Sequence, residues 1–238
     1  MGDRVSGKLA LVGSGEYLPQ MLDVERHLLD GRPPVYVQIP TAAAPEGEAT
    51  LDRWVQLGVT QAQRLGVTPV SVVARDRDEA DDAQLAEKIA GAGLIYLSGG
   101  NPLFLAQTLR DTALWRAIEQ QWREGASLAG CSAGAMALTG WVPNIRRPTP
   151  PFDPGLGLLD HLRVWPHFDK MVGRIPDLIT RVLLHAPDSV TVLGIDEDTA
   201  LVGGPEEWRV EGRQSVWVIG HGKRVEYPAG STLVTSRA

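Results

Sequence analysis

The sequence predicts an α/β fold: a three-layer α/β/α arrangement with a mainly parallel central sheet and antiparallel strands at the C-terminus. Three observations predict it. Short apolar runs alternate with stretches of helical periodicity from residue 8 to about 140, the rhythm of strand–helix–strand units whose sheet is covered on both faces. Three of the runs end in glycine clusters, at the carboxyl ends where such sheets collect ligands. From Glu207 onward the pattern changes to period-two alternation broken by turn residues, which reads as antiparallel hairpins.

The first run, residues 8–12, ends in Gly13-Ser14-Gly15-Glu16, a strand feeding a glycine turn. The turn lacks both the later glycine of a dinucleotide fingerprint and the lysine of a P-loop, so it reads as a tight strand-to-helix turn. Residues 17–29 place Leu18, Met21, Leu22, Val24 and Leu28 at helical spacing, closed by Gly31 and Pro33-Pro34. Strand 35–39 stops at Pro40, and helix 46–65 follows with Gly58 as its weak point. Strand 67–73, helix 80–90 and strand 94–97 continue the rhythm. The last of these ends in Ser98-Gly99-Gly100-Asn101-Pro102, with a long helix expected over 103–124.

Residues 127–140 come next. Leu128-Ala129 enters Gly130-Cys131-Ser132-Ala133-Gly134, and Ala135-Met136-Ala137-Leu138 leaves it. This is the G-x-S-x-G pattern in which a strand turns sharply into a helix and exposes a serine hydroxyl. The turn demands small flanking residues because the backbone folds back tightly on itself. Gly130 and Gly134 bracket Ser132 symmetrically, which makes Ser132 the nucleophile and leaves Cys131 as a small packing residue.

Residues 141–159 hold five prolines and predict a long loop. Its Arg146-Arg147 pair is placed either to meet a substrate carboxylate or simply to be solvated. Strand 162–165 ends at Pro166-His167-Phe168-Asp169, helix 175–184 carries His185 near its end, and strand 190–195 runs into Asp196-Glu197-Asp198. The hairpins after Glu207 complete the chain, with His221 in a turn. No linker or repeat divides residues 1–238, so a single domain is expected.

Composition excludes several classes of function. The formal net charge is −6 and no basic cluster exceeds Arg146-Arg147, which argues against nucleic-acid binding. One cysteine excludes an internal disulfide framework and a Cys-rich zinc site. The polar first residues and the absence of a long apolar run point to a cytoplasmic protein with no membrane partner.

A serine nucleophile needs a base and a group to orient it. His27 and His185 lie on helices, His221 in a hairpin turn, and His161 at the wrong end of its strand. His167 directly follows a strand, at the edge expected for Ser132, and is the candidate base. The acid is open at this point among Glu197, Asp196 and Asp169. Ala133 and Gly100 offer backbone N–H groups for an oxyanion.

LIYLSGGNPLFL, GASLAGCSAGAMAL, the Pro-His-Phe-Asp after a strand, and LGIDEDTALV together resemble the dipeptidase E and cyanophycinase family of serine peptidases. The resemblance runs from Leu9 to about Val202 and implies a class I glutamine amidotransferase-like, flavodoxin-like fold with serine in place of cysteine. It implies Ser132 as nucleophile, His167 as base and Glu197 as orienting acid. The run after His167, Phe168 to Arg174, departs from the glutamine- and arginine-rich segment of cyanophycinases. The expectation is a serine exopeptidase of short peptides without metal or organic cofactor. Asn101, Asp169, Arg174 and Arg147 are its candidate substrate contacts, and the strands between Trp208 and Val234 are candidates for a homodimer interface.

Overall fold

The computed structural model describes residues 6–144, 152–171, 186–220 and 223–236. Strands β1 (Leu9–Val12), β2 (Val35–Ile39), β3 (Thr68–Ser71), β4 (Leu94–Leu97) and β5 (Ser127–Cys131) run parallel in the spatial order β1-β5-β4-β2-β3. β6 (Trp141–Pro143) and β7 (Phe152–Pro154) pair as a separate antiparallel ribbon. β8 (Leu162–Trp165) and β9 (Thr191–Ile195) pair in parallel and open a second sheet. β10 (Thr199–Gly203) returns antiparallel to β1 and is followed outward by β11 (Glu207–Gly212) and β14 (Thr232–Val234), giving the first sheet eight strands. β12 (Ser215–Gly220) and β13 (Lys223–Pro228) complete the second sheet, in the order β13-β12-β9-β8.

The period-two pattern of the strands sorts the core into two layers. Ala10, Val12, Tyr36, Leu94, Tyr96, Ala129 and Cys131 face α1 (Leu22–Leu29) and α2 (Glu48–Leu65). Leu9, Leu11, Val37, Ile39, Ile95, Leu97 and Leu128 face the opposite layer. That layer holds α3 (Arg77–Ala80), α4 (Ala83–Glu87), α5 (Pro102–Leu109), α6 (Ala113–Arg123) and α7 (Ala133–Ala137). The three-layer α/β/α reading, the mainly parallel centre and the C-terminal antiparallel strands are all present.

Four expectations are corrected. The helix expected over 103–124 is two helices, because Asp111 adopts φ 62° and Thr112 caps α6 by accepting from the Trp115 N–H at 3.3 Å. Aspartate tolerates the left-handed region better than most residues, and threonine is a preferred cap. The helix expected over 80–90 is shortened to α4, opened by Asp82, which accepts from the Gln84 N–H, and a separate short α3 precedes it. The loop expected over 141–159 contains the β6–β7 ribbon, which buries Val142 completely. Finally, β8 and β9 lie in the second sheet rather than in the central one. The helix expected over 175–184 lies outside the described residues.

Gly58 is required where propensity alone makes it a weak point. A Cβ there would fall 1.8 Å from Gln38 Oε1. Gln38, fully buried on β2, donates through Nε2 to Val55 O and Ser71 Oγ, both at 2.8 Å, tying α2 to the end of β3.

A buried carboxyl lies in the α1–α2 layer. Glu25 is 1% exposed; its Oε2 accepts from Gln61 Nε2 at 2.7 Å, and its Oε1 faces the Tyr36 hydroxyl at 3.5 Å. Burial pushes its pKa from the usual 4.5 up to about 8, against the opposing hydrogen bonds from Gln61 and Tyr36. A carboxyl with a raised folded pKa binds more protons in the folded than in the unfolded state between those two values. Its contribution to stability is therefore complete below pH 4.5 and is lost as pH rises toward 8. Glu25→Gln keeps the neutral shape and removes that loss. It is expected to melt roughly 3–10 °C above the parent at pH 8.5, with the gap closing near pH 5, as read by thermal melts across pH.

Candidate active site

Ser132 follows β5 directly, at φ 49° and ψ −104°, a backbone conformation that costs a residue with a Cβ on the order of 1–3 kcal/mol. Its N–H donates to Val12 O of neighbouring β1 at 2.9 Å, and its carbonyl accepts from Met136 N at 3.1 Å. The flanking glycines are explained by distance. A Cβ on Gly130 would sit 2.5 Å from the carbonyl carbon of Gly134, and one on Gly134 would sit 2.3 Å from Leu97 O. The elbow closes on its own backbone and presses against the end of β4, so neither position has room for a side chain.

His167 follows β8 and Pro166, with φ 51°. Its carbonyl accepts from the N–H groups of Lys170 and Met171, both at 3.0 Å, at the start of α8 (Phe168–Met171). Phe168 fixes that turn by seating its ring over Gly194 of β9, where an added Cβ would lie 2.5 Å from the ring. His167 Nε2 lies 3.0 Å from Ser132 Oγ, and its Nδ1 lies 3.2 Å from Glu197 Oε1. A carboxylate oxygen facing Nδ1 favours the tautomer with the proton on Nδ1, which leaves Nε2 to accept from the serine hydroxyl.

The backbone at Glu197 is held on both sides. Its N–H donates to Asp169 Oδ1 at 3.0 Å, while its carbonyl accepts from Gln214 Nε2 at 2.8 Å and Thr199 Oγ1 at 3.0 Å. Lys170 Nζ lies 3.7 Å from Glu197 Oε2 and 3.7 Å from Asp169 Oδ2. The three acids left open by the sequence separate cleanly. Glu197 meets the histidine, and Asp169 meets the backbone of Glu197. Asp196 turns into the second sheet, accepting from Trp217 Nε1 at 3.1 Å and Ser215 N at 3.3 Å. Burial pushes the Asp196 carboxyl above the usual carboxylate range.

Gly100, at φ +132°, is exposed, and a Cβ there would lie 2.4 Å from Ala42 O. Ala133 opens α7, so its N–H has no acceptor within the helix. Asn101 caps α5, its Oδ1 accepting from Phe104 N at 3.0 Å. Arg147, Arg174, His185 and His221 lie outside the described residues. His27 pairs with Glu211 at 2.7 Å, and His161 Nε2 meets Pro205 O at 3.1 Å. Cys131 is buried among the α1–α2 layer residues, and its thiol donates to Glu16 Oε2 at 3.0 Å.

The Gly13–Glu16 turn has a role that the sequence reading missed. A Cβ on Gly13 would lie 2.1 Å from Asp196 O, and one on Gly15 would lie 2.5 Å from Asp198 Oδ1. These glycines let the turn carrying Glu197 rest directly against the end of β1. The signal was the glycine cluster at the end of the first strand, whose partners are the Asp196 carbonyl and the Asp198 side chain. The residues expected at one sheet edge in fact come from two sheets: Ser132 follows β5 of the first, His167 follows β8 of the second, and Glu197 lies in the turn joining β9 of the second to β10 of the first.

A cyanophycinase from Trichormus variabilis is 30% identical over 201 residues, which cover 79% of this chain; the chain spans 64% of that relative's length. A cyanophycinase from Synechococcus elongatus is 34% identical over 167 residues, covering 65% of this chain and 50% of the relative. Among solved structures, a peptidase from an acI-B1 Actinobacterium superposes with a TM-score of 0.90 at 41% identity, covering 98% of both chains. A candidate peptidase E protein from Listeria monocytogenes shares the fold, with a TM-score of 0.60 at 18% identity over 95% of this chain and 100% of the other. The sequence match to peptidase family S51 covers residues 9–210, from the first strand of the central sheet through the turns carrying Ser132, His167 and Glu197, and the chain belongs to that family.

Proposed function

We propose that the protein is a serine exopeptidase that hydrolyses short peptides through an acyl-enzyme, with Ser132 as nucleophile, His167 as general base and acid, and Glu197 as the orienting carboxylate. The observation that carries this reading is the hydrogen-bonded line from Ser132 Oγ through His167 to Glu197 Oε1, with links of 3.0 and 3.2 Å. Membership of a peptidase family supports the reaction class.

His167 Nε2 takes the hydroxyl proton as Ser132 Oγ attacks the scissile carbonyl. The N–H groups of Gly100 and Ala133 receive the oxyanion. The imidazolium, steadied by Glu197 at Nδ1, then protonates the departing amine. Water enters along the same line and releases the acyl group, returning the proton to Ser132. Lys170 neutralises charge on the side of Glu197 that faces away from the histidine. The β6–β7 ribbon, which follows the elbow helix directly in the chain, is the element proposed to restrict access to short substrates.

Ser132→Ala is expected to lower kcat/KM by at least about 10⁴-fold and to abolish labelling by a fluorophosphonate. Wild-type protein that resists labelling would favour a binding protein without turnover. Glu197→Gln removes the charge that selects the Nδ1–H tautomer, and kcat is expected to fall on the order of 10²–10⁴-fold. Dipeptides, tripeptides and p-nitrophenyl esters offered together test the substrate class. Peptide turnover is expected, and turnover of esters alone would overturn the peptidase reading.

A further inference from the structure

We infer that Glu16 is a positioning residue, its carboxylate locking the proposed oxyanion turn to the end of the nucleophile strand. The inference rests on the functional reading above and extends it to a residue outside the triad.

In the sheet, β5 lies between β1 and β4. Glu16 follows β1, and its side chain reaches across the end of β5 to the turn after β4. Oε2 accepts from the Cys131 thiol at 3.0 Å and Oε1 from the Gly99 N–H at 3.0 Å. One carboxylate thus joins the residue before Ser132 to the residue before Gly100. The origin of the side chain is also fixed: Gly15 at φ 91° and Tyr17 at φ 63° flank Glu16, and the Tyr17 ring is 1% exposed beside Trp54 and Tyr96.

The peptide units of the turn show what the lock achieves. The N–H proposed to meet the oxyanion belongs to the peptide between Gly99 and Gly100. The peptide before it is tied by Glu16 through the Gly99 N–H. The peptide after it is tied by Asn101 N, which donates to Ala42 O at 2.8 Å. With both neighbours anchored, the middle peptide has little freedom to rotate, which is the preorganisation an oxyanion donor requires. Gly99 also has to be glycine for this purpose: a Cβ there would lie 2.3 Å from Glu16 Oε1 and 3.7 Å from Ser132 Cβ. The space that a Gly99 side chain would take therefore borders both the carboxylate and Ser132.

The second oxygen settles the competition between the two adjacent nucleophiles. A thiol donates only while protonated, and burial together with the neighbouring Glu16 charge pushes the Cys131 thiol well above its ordinary value. Cys131 thus acts as a hydrogen-bond donor, leaving the chemistry to Ser132.

The test compares Glu16→Ala and Glu16→Gln with the wild type and with Ser132→Ala, using a dipeptide substrate, a peptide aldehyde that forms a tetrahedral adduct, and thermal melting. Glu16→Ala is expected to lower kcat on the order of 10²-fold, with KM changed less than about threefold and aldehyde affinity falling in step with kcat. Glu16→Gln keeps an acceptor for the Gly99 N–H. It is expected to melt within a few degrees of the wild type and to recover kcat to within about tenfold of it. A Glu16→Ala kcat within threefold of wild type overturns the inference. So does a loss confined to KM, or a Glu16→Gln variant as impaired as Glu16→Ala despite an unchanged melt. If Ser132→Ala turns over normally, the functional reading fails. If Ser132→Ala is inert while Glu16→Ala is unaffected, only the positioning role fails.

Discussion

The backbone of Ser132 sits where a residue with a Cβ is strained, and the surrounding structure is arranged to keep it there. The Val12 carbonyl holds its N–H, and Gly130 and Gly134 let the turn close on itself. Three other non-glycine residues with positive φ, Tyr17, His167 and Asp198, border the same region. Strain of this kind persists only where neighbours over-determine it. The neighbours here are backbone groups in direct contact, so the positions that permit those contacts are glycines.

Close backbone approach recurs at three positions around the site. Gly13 lies against Asp196 O, Gly100 against Ala42 O, and Gly134 against Leu97 O. Each removes a Cβ that would hold two strand ends apart. The result is a set of short loops whose relative positions are set by main-chain contact and hydrogen bonds. The turn carrying Glu197, between β9 and β10, is held by side chains instead, Gln214 donating to its carbonyl and Asp169 accepting from its N–H.

The parts of this design that were legible in the sequence are local ones. The elbow declares itself because its glycines and serine are within five residues, and His167 because it directly follows an apolar run. The break between α5 and α6 depended on Asp111-Thr112, a cap signal hidden inside a stretch with good helical periodicity. The second sheet was not legible because β8 and β9 are short buried strands, and burial looks the same whichever sheet a strand joins. Glu16 escaped notice because its partners lie 83 and 115 residues away. A carboxylate after a glycine turn gives no sign of which distant N–H or thiol it will meet.

The division of the site between two sheets has a mechanical consequence. Ser132 takes its position from the first sheet and His167 from the second, so the 3.0 Å link between Oγ and Nε2 spans two hydrogen-bonded frameworks, while Glu197 lies in the turn that joins them. The turns after β1 and β9 touch at Gly13, which leaves no room for a Cβ beside Asp196 O and whose N–H donates to Thr199 O at 2.9 Å. One apolar cluster holds Leu11 and Leu128 of the first sheet together with Val164 and Leu193 of the second, so the distance between Ser132 and His167 depends on how these two frameworks pack. The length of one hydrogen bond thus serves as a gauge of how the two halves of the molecule are seated.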